Sequence, residues 1–189
     1  MRITFSVDLD STLNNLDTVW LGYVNKKNST NYTIKDITSY SHSILSDNFE
    51  FITQSDMYDY LDILPGAIEF IESLKEIGNV QIVTHTFKEH KLSKLKFIKK
   101  HFNDIEVICT DSNKTDIVDG TFLIDDNKQH IIDHINNFNY GMGVIFSNKD
   151  TLQYNKIQEE FKYSYPRLGT YNEILDYIIV NMNSIYYNY

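Results

Sequence analysis

Asp8 and Asp10 stand two residues apart in Val7-Asp8-Leu9-Asp10-Ser11-Thr12, directly after an apolar stretch near the start of the chain. One carboxylate can attack phosphorus to form an aspartyl phosphate. A second beside it can hand a proton to the leaving oxygen and later take one from water. The run Ile3-Thr4-Phe5-Ser6-Val7 alternates apolar and polar residues with the strand period, and the alternation stops at Asp8. Both carboxylates therefore point the same way from the carboxyl end of a strand, the edge where ligands bind in open α/β sheets. The same string is also ordinary turn and helix-cap chemistry, so its meaning depends on the rest of the chain.

Two further apolar runs end in useful groups. Val80 to Val83 leads to Thr84, and Thr121 to Ile124 leads to Asp125 and Asp126, with Lys114 in the loop before the latter. A parallel sheet would bring all of them to one edge. There Thr84 can donate to a phosphoryl oxygen, and Lys114 can neutralise charge as a point cation, held by a carboxylate such as Asp126. Asp126 has two other readings, orienting a metal-bound water or capping the next helix. Asp8, Asp125 and a phosphate dianion would repel one another without a cation, and an all-oxygen site suits Mg²⁺. Lys88 opens a lysine-rich helix and reads equally as a phosphate contact or as part of a solvated face. His85 reads as a residue of the site or, the more ordinary role of a lone histidine, as one satisfying a nearby backbone carbonyl.

The elements that must position these groups follow from periodicity. Leu13, Leu16, Trp20 and Val24 have helical spacing, and the region from Leu13 to about Asp62 reads as a small helical insertion. A Leu64-Pro65-Gly66 turn leads into a helix with Ile68, Ile71, Leu74 and Ile77 on one face, ended by Gly78. A second helix from about Lys88 to His101 is expected to turn Leu92, Leu95, Ile98 and Phe102 inward and its lysines outward. Ile105 to Cys109 reads as a strand, with Cys109 as a small buried hydrophobe. A helix from about Gln129 to Phe138 and a strand from Gly143 to Phe146 follow. Thr170-Tyr171-Asn172-Glu173 has the capping-box pattern of a final helix, which places Ile174, Leu175, Ile178 and Ile179 on one side. This alternation predicts an α/β fold with a Rossmann-like parallel sheet and right-handed crossovers.

Composition narrows the function classes. A chain of 189 residues with 42% hydrophobic and 23% charged residues fits one globular core with an insertion. The net charge of −9 disfavours sequence-independent binding to duplex nucleic acid, so no stable nucleic-acid partner is expected. A single cysteine excludes an intrachain disulfide and a cysteine-based metal site. No segment approaches the roughly 20 apolar residues that span a bilayer. A cytosolic protein without a membrane partner is expected.

The motifs Asp8-Leu9-Asp10-Ser11-Thr12, Val83-Thr84, Lys114 and Leu123-Ile124-Asp125-Asp126-Asn127 occur in an order that resembles the haloacid dehalogenase superfamily. Within it the chain is most similar to the 5'(3')-deoxyribonucleotidases, through Leu64-Pro65-Gly66-Ala67, the Thr84 to Lys88 spacing and the spacing from Lys114-Thr115 to Asp125-Asp126. The resemblance covers residues 1–150. It implies a core of residues 1–12 and 64–189 and a helical cap of residues 13–63. It also implies a catalytic pair, with Asp8 as nucleophile and Asp10 as acid/base. Mg²⁺ would be held by Asp8, the Asp10 backbone carbonyl and Asp125, and phosphate by Thr84, Lys88 and Lys114.

The implied substrate is a nucleoside monophosphate, and the implied assembly is a homodimer. Ser11 stands where the family usually has glycine, and His85 where it usually has a small residue. Leu16, Trp20, Phe49, Phe51, Tyr58 and Tyr60 are the candidates for a nucleobase platform, although core packing accounts for most such residues. Two other readings stand beside the nucleotidase. One is a superfamily phosphatase for another small ester or a nucleic-acid 3'-phosphate end. The other is a catalytically idle module that binds a nucleotide or a protein.

Overall fold

The computed structural model describes residues 3–37, 43–112, 114, 121–138, 141–152 and 165–187, with side chains of the last helix through Asn181. Six strands form one sheet: β1 (Thr4–Val7), β2 (Asn79–His85), β3 (Glu106–Thr110), β4 (Phe122–Asp125), β5 (Met142–Phe146) and β6 (Arg167–Leu168). Their order is β3-β2-β1-β4-β5-β6 and every pairing is parallel. The chain order reverses beside β1, which makes the carboxyl end of β1 a topological switch point. The α/β class and parallel sheet expected from the sequence are present. The two-residue β6 carries too short a pattern to be read in advance, and Thr115 of the third motif lies outside the described residues.

Alternation within the strands divides the core. Phe5 and Val7 of β1, Phe122 and Ile124 of β4, and Val144 and Phe146 of β5 join the large apolar cluster. Leu123 and Ile145 face the opposite way, into a smaller cluster with Ile131 of α5 (Lys128–Asn137). Ser6 also turns away from the large cluster, and its Oγ accepts a 2.7 Å hydrogen bond from Gln81 Nε2, so two buried polar groups satisfy each other.

Between β1 and β2 the chain forms α1 (Leu16–Asn28), a short α2 (Ser43–Ser46), three 3₁₀ turns at Ile34–Asp36, Phe49–Phe51 and Met57–Tyr60, and then α3 (Ala67–Ile77). An antiparallel bridge between Asn14 and Ile63 closes the base of the helical segment. A type II turn follows. Ala67 N donates to Leu64 O at 3.1 Å and Gly66 has φ 85°, which costs glycine little. At the other end of α3, a Cβ on Gly78 would lie 2.5 Å from Ile3 O, so the close approach of the helix end to β1 excludes larger residues.

The buried stripe of α3 is Ala67, Phe70, Ile71 and Leu74, whereas Ile68 is exposed, contrary to the expected face. In α4 (Lys91–His101) the phase differs more. Leu92 is 75% exposed, and Lys94, Phe97 and Ile98 are buried. Cys109 is only partly buried, because β3 is a sheet edge. The last helix, α6 (Tyr171–Tyr187), opens with the expected capping box: Glu173 Oε2 accepts from Thr170 N at 3.0 Å, and Glu173 N donates to Thr170 Oγ1 at 3.2 Å. Ile174 and Ile178 are buried, but Ile179 faces outward. No helix among the described residues is long and apolar enough to cross a membrane.

Candidate active site

Asp8 extends the β1–β4 ladder by one residue, its N–H donating to Ile124 O at 2.9 Å, and so comes beside the end of β4. The chain then turns tightly, with Leu13 N and Asn14 N both donating to Leu9 O. Ser11 lies in the left-handed region at φ 59°, which accounts for the glycine usual at this position, and Asn14 Oδ1 accepts from its N–H at 3.1 Å.

Two carboxylate centres result. In the first, the Lys114 ammonium lies 2.6 Å from Asp8 Oδ1 and 3.0 Å from Asp125 Oδ2. Asp8 and Asp125 are therefore the carboxylates that hold Lys114, where the sequence had offered Asp126 as one such partner. Asn127 N donates to Asp125 Oδ1 at 2.8 Å, and His130 Nδ1 approaches Asp125 Oδ2 at 3.0 Å. Asp126 donates its N–H to Thr12 Oγ1 at 3.1 Å. Asn127, not Asp126, caps α5, its side chain accepting from Gln129 N. Asp8, Asp125 and Asp126 are buried and offer oxygens within 4.8 Å of one another.

Burial pushes the Asp8 carboxyl up to about 6, with Lys114 acting against it and Asp125 and Asp10 with it. Burial and the charges of Asp125 and Asp8 likewise hold Asp126 well above the usual carboxylate range. Asp125 stays low against the cost of burial, because Lys114, His130 and Asn127 favour its charge. Three crowded carboxylates are hard oxygen donors, and two of them are pushed toward the protonated form, which a bound cation would oppose. That donor set fits a divalent cation of the Mg²⁺ kind.

The second centre is built around Asp10. The Lys94 ammonium lies 2.8 Å from Asp10 Oδ2, the Tyr58 hydroxyl lies 2.9 and 2.8 Å from the two carboxylate oxygens, and Asn14 Nδ2 donates to Oδ1 at 2.9 Å. Burial alone would raise Asp10, but Lys94, Asn14 and Tyr58 hold it below the ordinary value. Lys94 also donates to Thr84 Oγ1 at 2.8 Å and to the His85 carbonyl.

A cavity of about 460 Å³ opens onto both centres. Asp8, Asp10, Lys114 and Asp126 line its polar end together with Asp17, His85, Asn127 and His130. Leu16, Trp20, Leu45, Phe49, Ile52 and Leu152, with Ser11 and Ser46 among them, line the remainder. Of the other candidate platform residues, Phe51 and Tyr58 are buried in the apolar core and Tyr60 is exposed. Asp125 and Thr84 sit behind the lining. Lys88 is exposed and outside it, so the structure does not bring Lys88 to the site. His85 does line the cavity, edge-on to Phe87 at 4.9 Å. Burial first, then Lys94 and Lys114, keep its imidazole neutral to lower pH than usual.

Sequence reasoning missed Lys94, His130 and Asp17. Lys94 shares a helical stripe with Phe97 and Ile98, at i+3 and i+4, and that phase would have turned it inward. His130 lies one turn into a helix that begins at the end of β4. Asp17 accepts a 2.7 Å hydrogen bond from Leu152 N, far away in sequence, so no local signal marks it.

This sheet order, with paired aspartates at the end of the central strand, is the architecture of haloacid dehalogenase-like hydrolases. The chain has the fold of a haloacid dehalogenase-like family protein, SP0104 from Streptococcus pneumoniae, at 14% identity and TM-score 0.58, covering 94% of this chain and 98% of that one. It has the same fold as the haloacid dehalogenase-like protein ATU0790 of Agrobacterium tumefaciens (9% identity, TM-score 0.62, 97% and 100% covered). YfnB of Bacillus subtilis, solved bound to magnesium, matches at 11% identity and TM-score 0.56, with 94% and 98% covered. No curated protein matches the chain in sequence.

Within this class the family is specific. Residues 2–175 match the model of the 5' nucleotidase, deoxy (pyrimidine), cytosolic type C proteins, and the chain belongs to that family. It is a hydrolase of the phosphatase and nucleotidase kind, acting on a small phosphate-bearing molecule.

Proposed function

We propose that the chain is a Mg²⁺-dependent phosphomonoesterase that cleaves deoxyribonucleoside monophosphates to nucleoside and phosphate through an aspartyl phosphate. One observation carries the reading. A pair of differently held carboxylates opens into a cavity whose remaining wall is mostly apolar and aromatic. A phosphate suits the carboxylate side and a nucleoside that wall. Residues 13–63 would act as a cap over the core formed by 1–12 and 64–189, since they supply Leu16, Trp20, Leu45, Phe49 and Ile52 to that wall.

In this reading Asp8 attacks phosphorus. The bond from phosphorus to the ester oxygen breaks, and that oxygen takes the proton of Asp10. Asp10, now ionised, removes a proton from the water that releases phosphate from Asp8. Lys114 neutralises a phosphoryl oxygen. Thr84 supports the site from behind, through Lys94, in place of a direct contact. Asp8, the Asp10 backbone carbonyl and Asp125 would hold Mg²⁺, with Asp126 beside them. When bound, the cation supplies charge neutralisation for the phosphoryl oxygens. The family's description as cytosolic, and a sequence without a spanning segment, support a cytosolic location.

Phosphate release from a panel of deoxy and ribo nucleoside monophosphates, with and without Mg²⁺ and with a phosphate-ended oligonucleotide alongside, tests this. Turnover of the deoxy mononucleotides that requires Mg²⁺ is expected. Preference for the oligonucleotide, or release without metal, overturns the substrate or the metal assignment respectively.

A further inference from the structure

We propose that Lys94 is a positioning residue, which together with Tyr58 fixes the Asp10 carboxyl where it can protonate the leaving oxygen. The inference rests on the acid/base role given to Asp10 above, and goes beyond it by naming what aims that group. The terminal torsion of an aspartate is broad, so a carboxylate on a loop needs donors from several directions to hold one orientation. Asp10 has three: Asn14 from its own turn, Lys94 from α4, and Tyr58 from the helical segment.

Lys94 is itself locked. It is fully buried, and its three protons have three acceptors, Asp10 Oδ2, Thr84 Oγ1 and the His85 carbonyl. It thereby joins the loop after β1 to the end of β2. Tyr58 is locked too, with its ring 5.2 Å from the Lys94 ammonium and packed against His90 and Phe97 at 5.3 and 5.7 Å between centroids.

A stabilising role alone is a poor account of this charge. Burying an ammonium beside one carboxylate recovers little net stability over an apolar residue of similar length. Lys94 is also absent from the cavity lining, so it acts on a substrate through the groups it holds, of which Asp10 is the one that presents a carboxyl to the cavity.

The consequence depends on the leaving group. When the ester bond breaks, its electron pair goes to the ester oxygen. A nucleoside alkoxide is strongly basic and needs the Asp10 proton at that moment, whereas a nitrophenolate leaves without one. Because kcat/KM covers steps only through the first irreversible one, it isolates this proton transfer from the later hydrolysis of the aspartyl phosphate.

For Lys94→Met, kcat/KM on a deoxyribonucleoside monophosphate is expected to fall at least about 30-fold, within the range of general acid catalysis, and on p-nitrophenyl phosphate less than about threefold. Asp10→Asn should show the same selectivity. Tyr58→Phe, which keeps the packing, should show it more weakly and covers the case in which Lys94→Met does not fold. Equal losses on both esters, or no loss on either, overturn the proposal. If the enzyme ignores nucleotides, glycerol phosphate replaces them in the pair, so failure of the nucleotidase reading is seen separately. A crystal structure of Lys94→Met, or of Tyr58→Phe, with Asp10 unmoved also overturns it, whatever the substrate.

Discussion

Asp8 and Asp10 share one strand end and one cavity, and each is paired with a buried lysine, yet their surroundings differ in sign. Around Asp8 stand Asp125 and Asp126 as well as Lys114, and the carboxyl is pushed up to about 6. Around Asp10 stand Lys94, Tyr58 and Asn14, and the carboxyl is held low. By protein groups alone, Asp8 binds a proton more readily than Asp10, the reverse of what a nucleophile beside an acid requires. Asp8 belongs to the acidic cluster and Asp10's carboxyl does not, so a divalent cation held there would favour the ionised form of Asp8 far more than that of Asp10. Two carboxylates on one loop can thus take separate roles, because their neighbours come from different parts of the chain.

The comparison breaks most sharply at Asp8. Asp8→Asn is expected to lower turnover at least about 10⁴-fold on alkyl and aryl esters alike, because no intermediate forms. Chelation of the metal should be as severe on both, and added Mg²⁺ should restore turnover; phosphate release measures each. Next is Lys114→Met, which removes the cation between Asp8 and Asp125. A loss of about 10²- to 10³-fold in kcat is expected with both leaving groups, in contrast to the selectivity expected at Lys94.

Trp20→Ala touches neither centre and should raise KM for the nucleotide about tenfold with kcat within about threefold, read from steady-state kinetics. The smallest effect on turnover concerns His134, buried on α5 with its ring tilted against Phe138 at 5.0 Å between centroids. Burial holds its imidazole down to about 4 from 6.5. The unfolded chain therefore binds the extra proton first, so the contribution is full above pH 6.5 and is lost as pH falls toward 4, worth about 3 kcal/mol. Urea unfolding across that range should be less steep in pH for His134→Leu, with turnover near neutral pH unchanged.

The fold was legible because strands buried on both faces and amphipathic helices leave strong local patterns. β1, β2, β4 and β5 were recognisable within a residue or two, and the capping box of α6 marked its start. The gathering of Asp8, Lys114 and Asp125 was equally legible, since strand ends in a parallel sheet share an edge. The phase of α4 was legible only in part. Leu92, Leu95, Ile98 and Phe102 suggested one inward face; Ile98 and Phe102 are buried as expected, but Lys94 and Phe97 join them and Leu92 is left exposed. Lys94 lies on the stripe of Phe97 and Ile98, but a lysine adds nothing to an apolar pattern, so periodicity marked the face without marking Lys94 as buried. Ile68 and Ile179 were misplaced for a related reason. Each adjoins another apolar residue on the same helix, and only the neighbouring layer decides which one it covers.

The sequence by itself determined the parallel α/β sheet, the order of the motifs, and the residue types able to attack, protonate and neutralise at one edge. Those properties follow from the strand period and from short-range spacing. Tertiary structure alone decided which cation serves which carboxylate. Lys114 bridges Asp8 and Asp125, while Lys94 and Tyr58, which are 84 and 48 residues from Asp10, converge on that single carboxylate. Pairing at such separations is set by helix phase and by how the segment between β1 and β2 packs on α4, and no local pattern encodes either.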